Sequence, residues 1–101
     1  MTGTKQINVS VQVLPLVTGA HPIIDRAIKT IQASGVKNEV GPLETTMEDD
    51  DIDRLLEVAK SAHRACFIEG VSEVVTFIKI AESVHGTTIE EKVKKYRSNR
   101  F

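Results

Sequence analysis

The chain has one cysteine, no tryptophan, three prolines and only four Phe, Tyr and Trp residues among its 101 positions. A single thiol, Cys66, excludes an intramolecular disulfide framework and suits a reducing compartment. Neither sign of charge dominates. Thirteen Lys and Arg stand against fourteen Asp and Glu, a net charge of −1, so no broad basic field is available to a nucleic acid. No apolar run approaches the ~20 residues of a membrane span, and no basic segment leads into an apolar stretch of the secretory kind. The expectation is a cytoplasmic chain with neither membrane nor nucleic acid as partner. Repeats and low-complexity linkers are also missing, so residues 1–101 read as one domain, with Met1–Thr4 and Ser98–Phe101 expected to fray.

What is present alternates between two periods. Over Gln6–Leu14, Ile7, Val9, Val11 and Val13 fall on one side and Asn8, Ser10 and Gln12 on the other, the pattern of a half-buried strand ended by Pro15. Pro22 fits the first turn of a helix carrying Ile24, Ala27, Ile28 and Ile31 at helical spacing, with Gly35 as its stop. Val36–Gly41 and Glu44–Glu48 read as short second and third strands around the Gly41-Pro42 turn. Ile52, Leu55, Leu56, Ala59, Ala62 and Cys66 make one stripe of a second helix, capped by Asp50 or Asp51 and closed at Gly70. Val71–Ala81 reads as a fourth strand. Thr88 and Glu91 have capping-box spacing ahead of a short helix with Ile89, Val93 and Tyr96 on its stripe.

The order β-α-β-β-α-β plus a C-terminal helix predicts an α+β, ferredoxin-like fold: a four-stranded antiparallel sheet of order 4-1-3-2 with two helices on one face. The other face shows Asn8, Ser10 and Gln12 from strand 1 and Val75, Phe77 and Lys79 from strand 4. That mixture is too apolar to be indifferent to water and predicts an assembly contact between copies of the chain.

Catalytic signatures are scarce. Cys66 lies on a core stripe with no base nearby in sequence, which reads as an inert thiol. His21, His63 and His85 lack metal-ligand spacing. Glu48-Asp49-Asp50-Asp51 lacks the alternation and central glycine of a calcium loop, and its aspartates read as a helix cap. RNA-recognition domains share the strand order but stack bases on sheet aromatics, and strand 1 and strand 3 (Glu44 to Glu48) carry none. No catalytic and no metal-binding residue is assigned.

Three segments, Val9–Pro15, Gly41–Glu48 and Val74–Ile80, together with the Pro42, Thr45, Glu48 spacing, resemble the thiamine-binding protein family over nearly the whole chain. One departure stands after the strand-3 acid, where Asp49 replaces a common glycine. The resemblance implies a non-catalytic protein that binds thiamine or its hydroxymethylpyrimidine part as carrier, buffer or sensor, without a further cofactor. It also implies homodimers that pair into homotetramers.

The implied ligand-binding residues are Thr45, Val13, Glu48, Thr46 and Ser10. With strands 1 and 3 as antiparallel neighbours, Val13 is expected opposite Thr45 and Ser10 opposite Glu48. Backbone groups near Val13 and the Thr45 hydroxyl would meet the aminopyrimidine edge, and Val11, Leu14 or Ile80 would wall the ring. Glu48 would meet the pyrimidine amino group or the thiazolium cation; otherwise it neutralises Lys79 or a charge on a partner subunit. The competing reading is a structural or regulatory homo-oligomer with a vestigial pocket that works through a protein partner. An enzyme using Glu48 as acid or base is the third, supported by one carboxylate alone.

Overall fold

The computed structural model describes residues 5–98. The elements run β1 (Ile7–Pro15), α1 (His21–Ala33), β2 (Lys37–Val40), β3 (Thr45–Asp49), α2 (Ile52–Arg64), β4 (Val74–Ala81) and α3 (Ile89–Ser98). The expected frayed ends lie outside the described residues, except for Ser98, which closes α3.

The strands form one sheet in the order β2-β3-β1-β4 with every pairing antiparallel, the same arrangement as 4-1-3-2 read from the other edge. Alternation along β1 divides the molecule. Ile7, Val9, Val11 and Val13 are buried toward α1 and α2, where Ile31, Met47, Leu55 and Cys66 complete the core. Burying a side chain such as Leu55 contributes about 2 kcal/mol. Asn8, Ser10, Gln12 and Leu14 therefore line the opposite face, beside Val75, Phe77 and Lys79 of β4.

Helix ends follow local chemistry. Asp51 caps α2, its carboxylate accepting the N–H groups of Asp53 at 2.9 Å and Arg54 at 3.3 Å. Thr88 caps α3 reciprocally: its hydroxyl accepts the Glu91 N–H at 3.0 Å and donates to the Glu91 carboxylate at 2.9 Å. Gly35, just past α1, has φ +84°, a conformation that disfavours any side chain. Asp49 needs no such freedom. It pairs with Ile7 in the ladder, and its carboxylate contacts Arg54 at 3.4 Å and accepts the Asp51 N–H at 3.1 Å.

Three expectations are corrected. Helix α2 stops at Arg64, six residues before Gly70, because a tight turn with the Cys66 N–H on the His63 carbonyl takes over. β4 begins at Val74, where Pro15 faces it, rather than at Val71. The β1–β3 register is shifted by two residues: Val11 faces Thr45, Ser10 faces Thr46, and Asn8 faces Glu48. A two-residue shift leaves every side chain on its expected face, so hydrophobic alternation does not oppose it.

Candidate functional site

Alternation on β3 sends Thr45 and Met47 toward the helices and Thr46 and Glu48 toward the open face. The five residues implied as ligand contacts are thereby divided. Val13 and Thr45 stand on the helix side; Ser10, Thr46 and Glu48 stand on the other.

On the helix side a cavity of about 320 Å³ lies between the second half of β1, the first turns of α1 and the β2–β3 turn. Val13, Ile24, Ala27, Ile28 and Ile31 give it an apolar lining, and Val11 and Leu14, two of the expected walls, also contribute. Its polar groups are Gln12, His21, Asp25, Glu44 and Thr45. The turn beside it depends on Gly41, whose N–H donates to the Glu44 carbonyl at 2.9 Å. A Cβ at position 41 would stand 2.9 Å from that same oxygen, so any other residue must displace the turn.

Glu44 is the electrostatic centre of this region. Its carboxyl is held below the usual value, first by the Ser10 hydroxyl and then by the Lys79 ammonium. Lys79 Nζ lies 3.0 Å from the carboxylate. Glu44, not Glu48, is therefore the partner of Lys79. The Glu44 carboxylate is turned to the open face with Ser10 and Lys79, so Asp25 is the carboxylate at the border of the apolar chamber, an arrangement that favours a flat apolar guest carrying positive charge.

On the open face a second hollow of about 400 Å³ is bordered by Asn8, Ser10, Glu44, Thr46, Lys79 and Lys92, with Ile80, the third expected wall, at its edge. Glu48 sits behind this hollow and does not line it. Its buried carboxylate accepts the Ile89 N–H at 2.6 Å and the Asn8 side-chain amide at 3.3 Å, and faces Lys37 Nζ at 3.5 Å.

Sequence reasoning missed His21, Asp25 and Asn8. His21 and Asp25 are one helical turn apart at the start of α1, on the flank of the Ile24–Ile28 stripe. That spacing was the available signal. Cys66 is fully buried, and burial pushes its thiol pKa up. The His63 ring contacts the Thr76 hydroxyl and packs edge-on against Phe67. Among the described residues, no group of three His, Cys, Asp or Glu side chains is placed to hold a metal ion, and no helix is long and apolar enough to cross a membrane.

The sequence pattern of the thiamine-binding protein family matches residues 9–97, and the chain belongs to that family. A UPF0045 protein of Clostridium perfringens is 46% identical over 92 residues, covering 89% of this chain and 96% of its own. A solved structure of a domain of unknown function, DUF77, from Bacillus cereus superposes with a TM-score of 0.84 at 40% identity, over 99% of this chain and 100% of that one. A Thermotoga maritima structure, assigned provisionally to thiamine biosynthesis or salvage, superposes with a TM-score of 0.81 at 37% identity, over 91% and 99% of the two chains.

Proposed function

We propose that the protein binds thiamine, or its hydroxymethylpyrimidine part, reversibly in the cavity between β1, α1 and the β2–β3 turn. It would act in the cytoplasm as a carrier, buffer or sensor, with no covalent step. The observation that carries this reading is the pairing of an apolar chamber with the Asp25 carboxylate and the Thr45 hydroxyl on its border. At about 320 Å³ the chamber stands at the lower end of the ~300–1,000 Å³ common for small-ligand sites. The aminopyrimidine ring would lie against Val13, Ile24 and Ile28, with the Thr45 hydroxyl meeting its polar edge. The thiazolium cation would face Asp25. Family membership supports the same class of ligand.

Of the five residues implied by resemblance, this reading uses Thr45 and Val13 directly. Ser10 and Thr46 border the other hollow, and Glu48 fixes α3.

Titration calorimetry with thiamine, thiamine phosphates and hydroxymethylpyrimidine tests the reading. Thr45→Val keeps the shape and removes the hydroxyl, and should weaken binding about tenfold, the loss of one buried hydrogen bond. An absence of heat and of thermal shift at millimolar ligand defeats the proposal.

One observation favours a second reading. Phe77 is 54% exposed beside Val75 and Leu14 on the open face, as expected of a homo-oligomer, dimers pairing into tetramers, that works through a protein partner. In that reading the helix-side chamber is vestigial.

A further inference from the structure

The open face holds a feature that the proposed thiamine site does not use. Asn8 and Ser10, two residues apart on β1, project side by side from the same face of the sheet. They are 2% and 8% exposed, and both border the open-face hollow. Asn8 Oδ1 and Ser10 Oγ nonetheless have no hydrogen-bond partner of good geometry among the described residues. Ser10 Oγ is near enough to the Glu44 carboxylate to favour its charged form. Unpaired polar atoms at this depth are costly and uncommon in folded proteins.

The orientation of Asn8 is set by its neighbours. Its amide nitrogen approaches the Glu48 carboxylate at 3.3 Å and the Thr87 carbonyl at 3.5 Å. Both are acceptors only, so the nitrogen must face them and Oδ1 must face away. Oδ1 is left without a donor beneath a hollow that Asn8 borders, so only a group entering that hollow, with a small shift of the side chain, can supply one. Ser10 and Thr46 add hydroxyls that can donate or accept. Ala81, opposite Asn8, adds a small apolar surface, and Ile80 borders the hollow only at its edge. Glu44 also borders the hollow, where its carboxylate and the Lys79 ammonium neutralise each other at 3.0 Å, whereas Lys92 brings a further ammonium from α3.

We propose that this hollow is a second binding site, separate from the helix-side chamber, for a small organic anion that also carries hydroxyl or amino donors. The donor meets Asn8 Oδ1, the Ser10 and Thr46 hydroxyls hydrogen-bond the body of the guest, and its phosphate or carboxylate faces Lys92. The pairing of requirements gives the site its selectivity. An anion without a donor leaves Asn8 unsatisfied, and a neutral polyol leaves Lys92 without its counter-charge.

Amide-resolved NMR titration tests this with four probes: glycerol 3-phosphate, glycerate, sulfate and glycerol. The two hydroxylated anions should shift the amides of Ser10, Thr46, Ala81 and Lys92 while leaving Thr45 and Asp25 in place. Glycerol 3-phosphate separates from glycerate if the anion subsite prefers phosphate to carboxylate, and either one binding upholds the site. Sulfate and glycerol should bind about tenfold more weakly, each lacking one strong interaction. Ser10→Ala removes a hydroxyl without a well-made partner, and Lys92→Gln alters an exposed side chain, so both variants should fold. Each should weaken binding roughly fivefold to tenfold without altering thiamine titrations of the other face. Failure of both hydroxylated anions at roughly 20 mM, equal response to sulfate, or indifference to both substitutions overturns the proposal.

Discussion

The carboxylate of Glu48 accepts the backbone N–H of Ile89 at 2.6 Å, joining strand β3 to the first turn of α3 across 41 positions of the chain. The same group takes the Asn8 amide at 3.3 Å and lies 3.5 Å from Lys37 Nζ. A buried carboxylate is tolerable only with such donors around it. Negative charge at a helix N-terminus is also favourable. This one side chain thus positions α3 over the open face and fixes which way the Asn8 amide is turned.

Removing that carboxylate should be felt beyond its own volume. Glu48→Ala would leave the Ile89 N–H unpaired and the Asn8 amide with only the Thr87 carbonyl at 3.5 Å, at a cost of about 2–3 kcal/mol. Glu48→Gln keeps one acceptor oxygen and should cost less than the alanine variant. Urea denaturation gives the totals, and hydrogen exchange at residues 89–92 should accelerate most in the alanine variant. A loss below about 0.5 kcal/mol for Glu48→Ala would mean that α3 is held by something else.

The same residue marks where the sequence stops being informative. Alternation of Ile7, Val9, Val11 and Val13 gives the strand and its buried side, and the turn and cap residues give the element order. Nothing local sets the register between β1 and β3, because they are not consecutive. A slip of two residues preserves every face, so Ser10 rather than Asn8 is expected opposite Glu48. The division of the ligand residues was legible, since Thr45 and Thr46 are adjacent in a strand and must point oppositely. The chamber was not. It is bordered by the start of α1, and which flank of a helix meets a given strand end is a matter of tertiary packing.

The open face predicts assembly. Phe77 and Val75 are exposed there at 54% and 37%, alongside Leu14 and Gln12 of β1, and β4 is an edge strand with one ladder unpaired. Light scattering should give a mass that is a multiple of 11.1 kDa, and Phe77→Asp should shift it toward a single chain while circular dichroism stays unchanged. A wild-type particle of one chain at roughly 100 μM would contradict the expectation.

Cys66 should behave as a reporter of unfolding. It is fully buried, and burial lifts its thiol pKa above the ordinary 9.0. The folded state therefore favours the protonated thiol. That contribution to stability is complete below the unfolded value and is lost as pH rises through the folded one. Thiolate is the reactive form, so a disulfide reagent at pH 7.5 should modify the native protein about a thousandfold more slowly than the denatured chain. The rate should climb with urea in step with global unfolding. Rapid modification without denaturant would show that the α1–α2 interior opens locally.

Acidification should act through Glu44. Its carboxyl lies below the ordinary 4.5, with the Ser10 hydroxyl the largest cause and Lys79 the next. A depressed folded pKa stabilises the fold above the unfolded value, and the benefit disappears as pH falls from about 4.5 toward the lower folded value. The group is partly exposed, so the effect on stability is small and screened by salt. The titration itself is the sharper measure. Carboxyl carbon shifts should place the Glu44 pKa below the ordinary 4.5 of a free glutamate. Ser10→Ala and Lys79→Gln should each raise it. An unchanged Glu44 titration in Ser10→Ala would show that the hydroxyl does not act on the carboxylate.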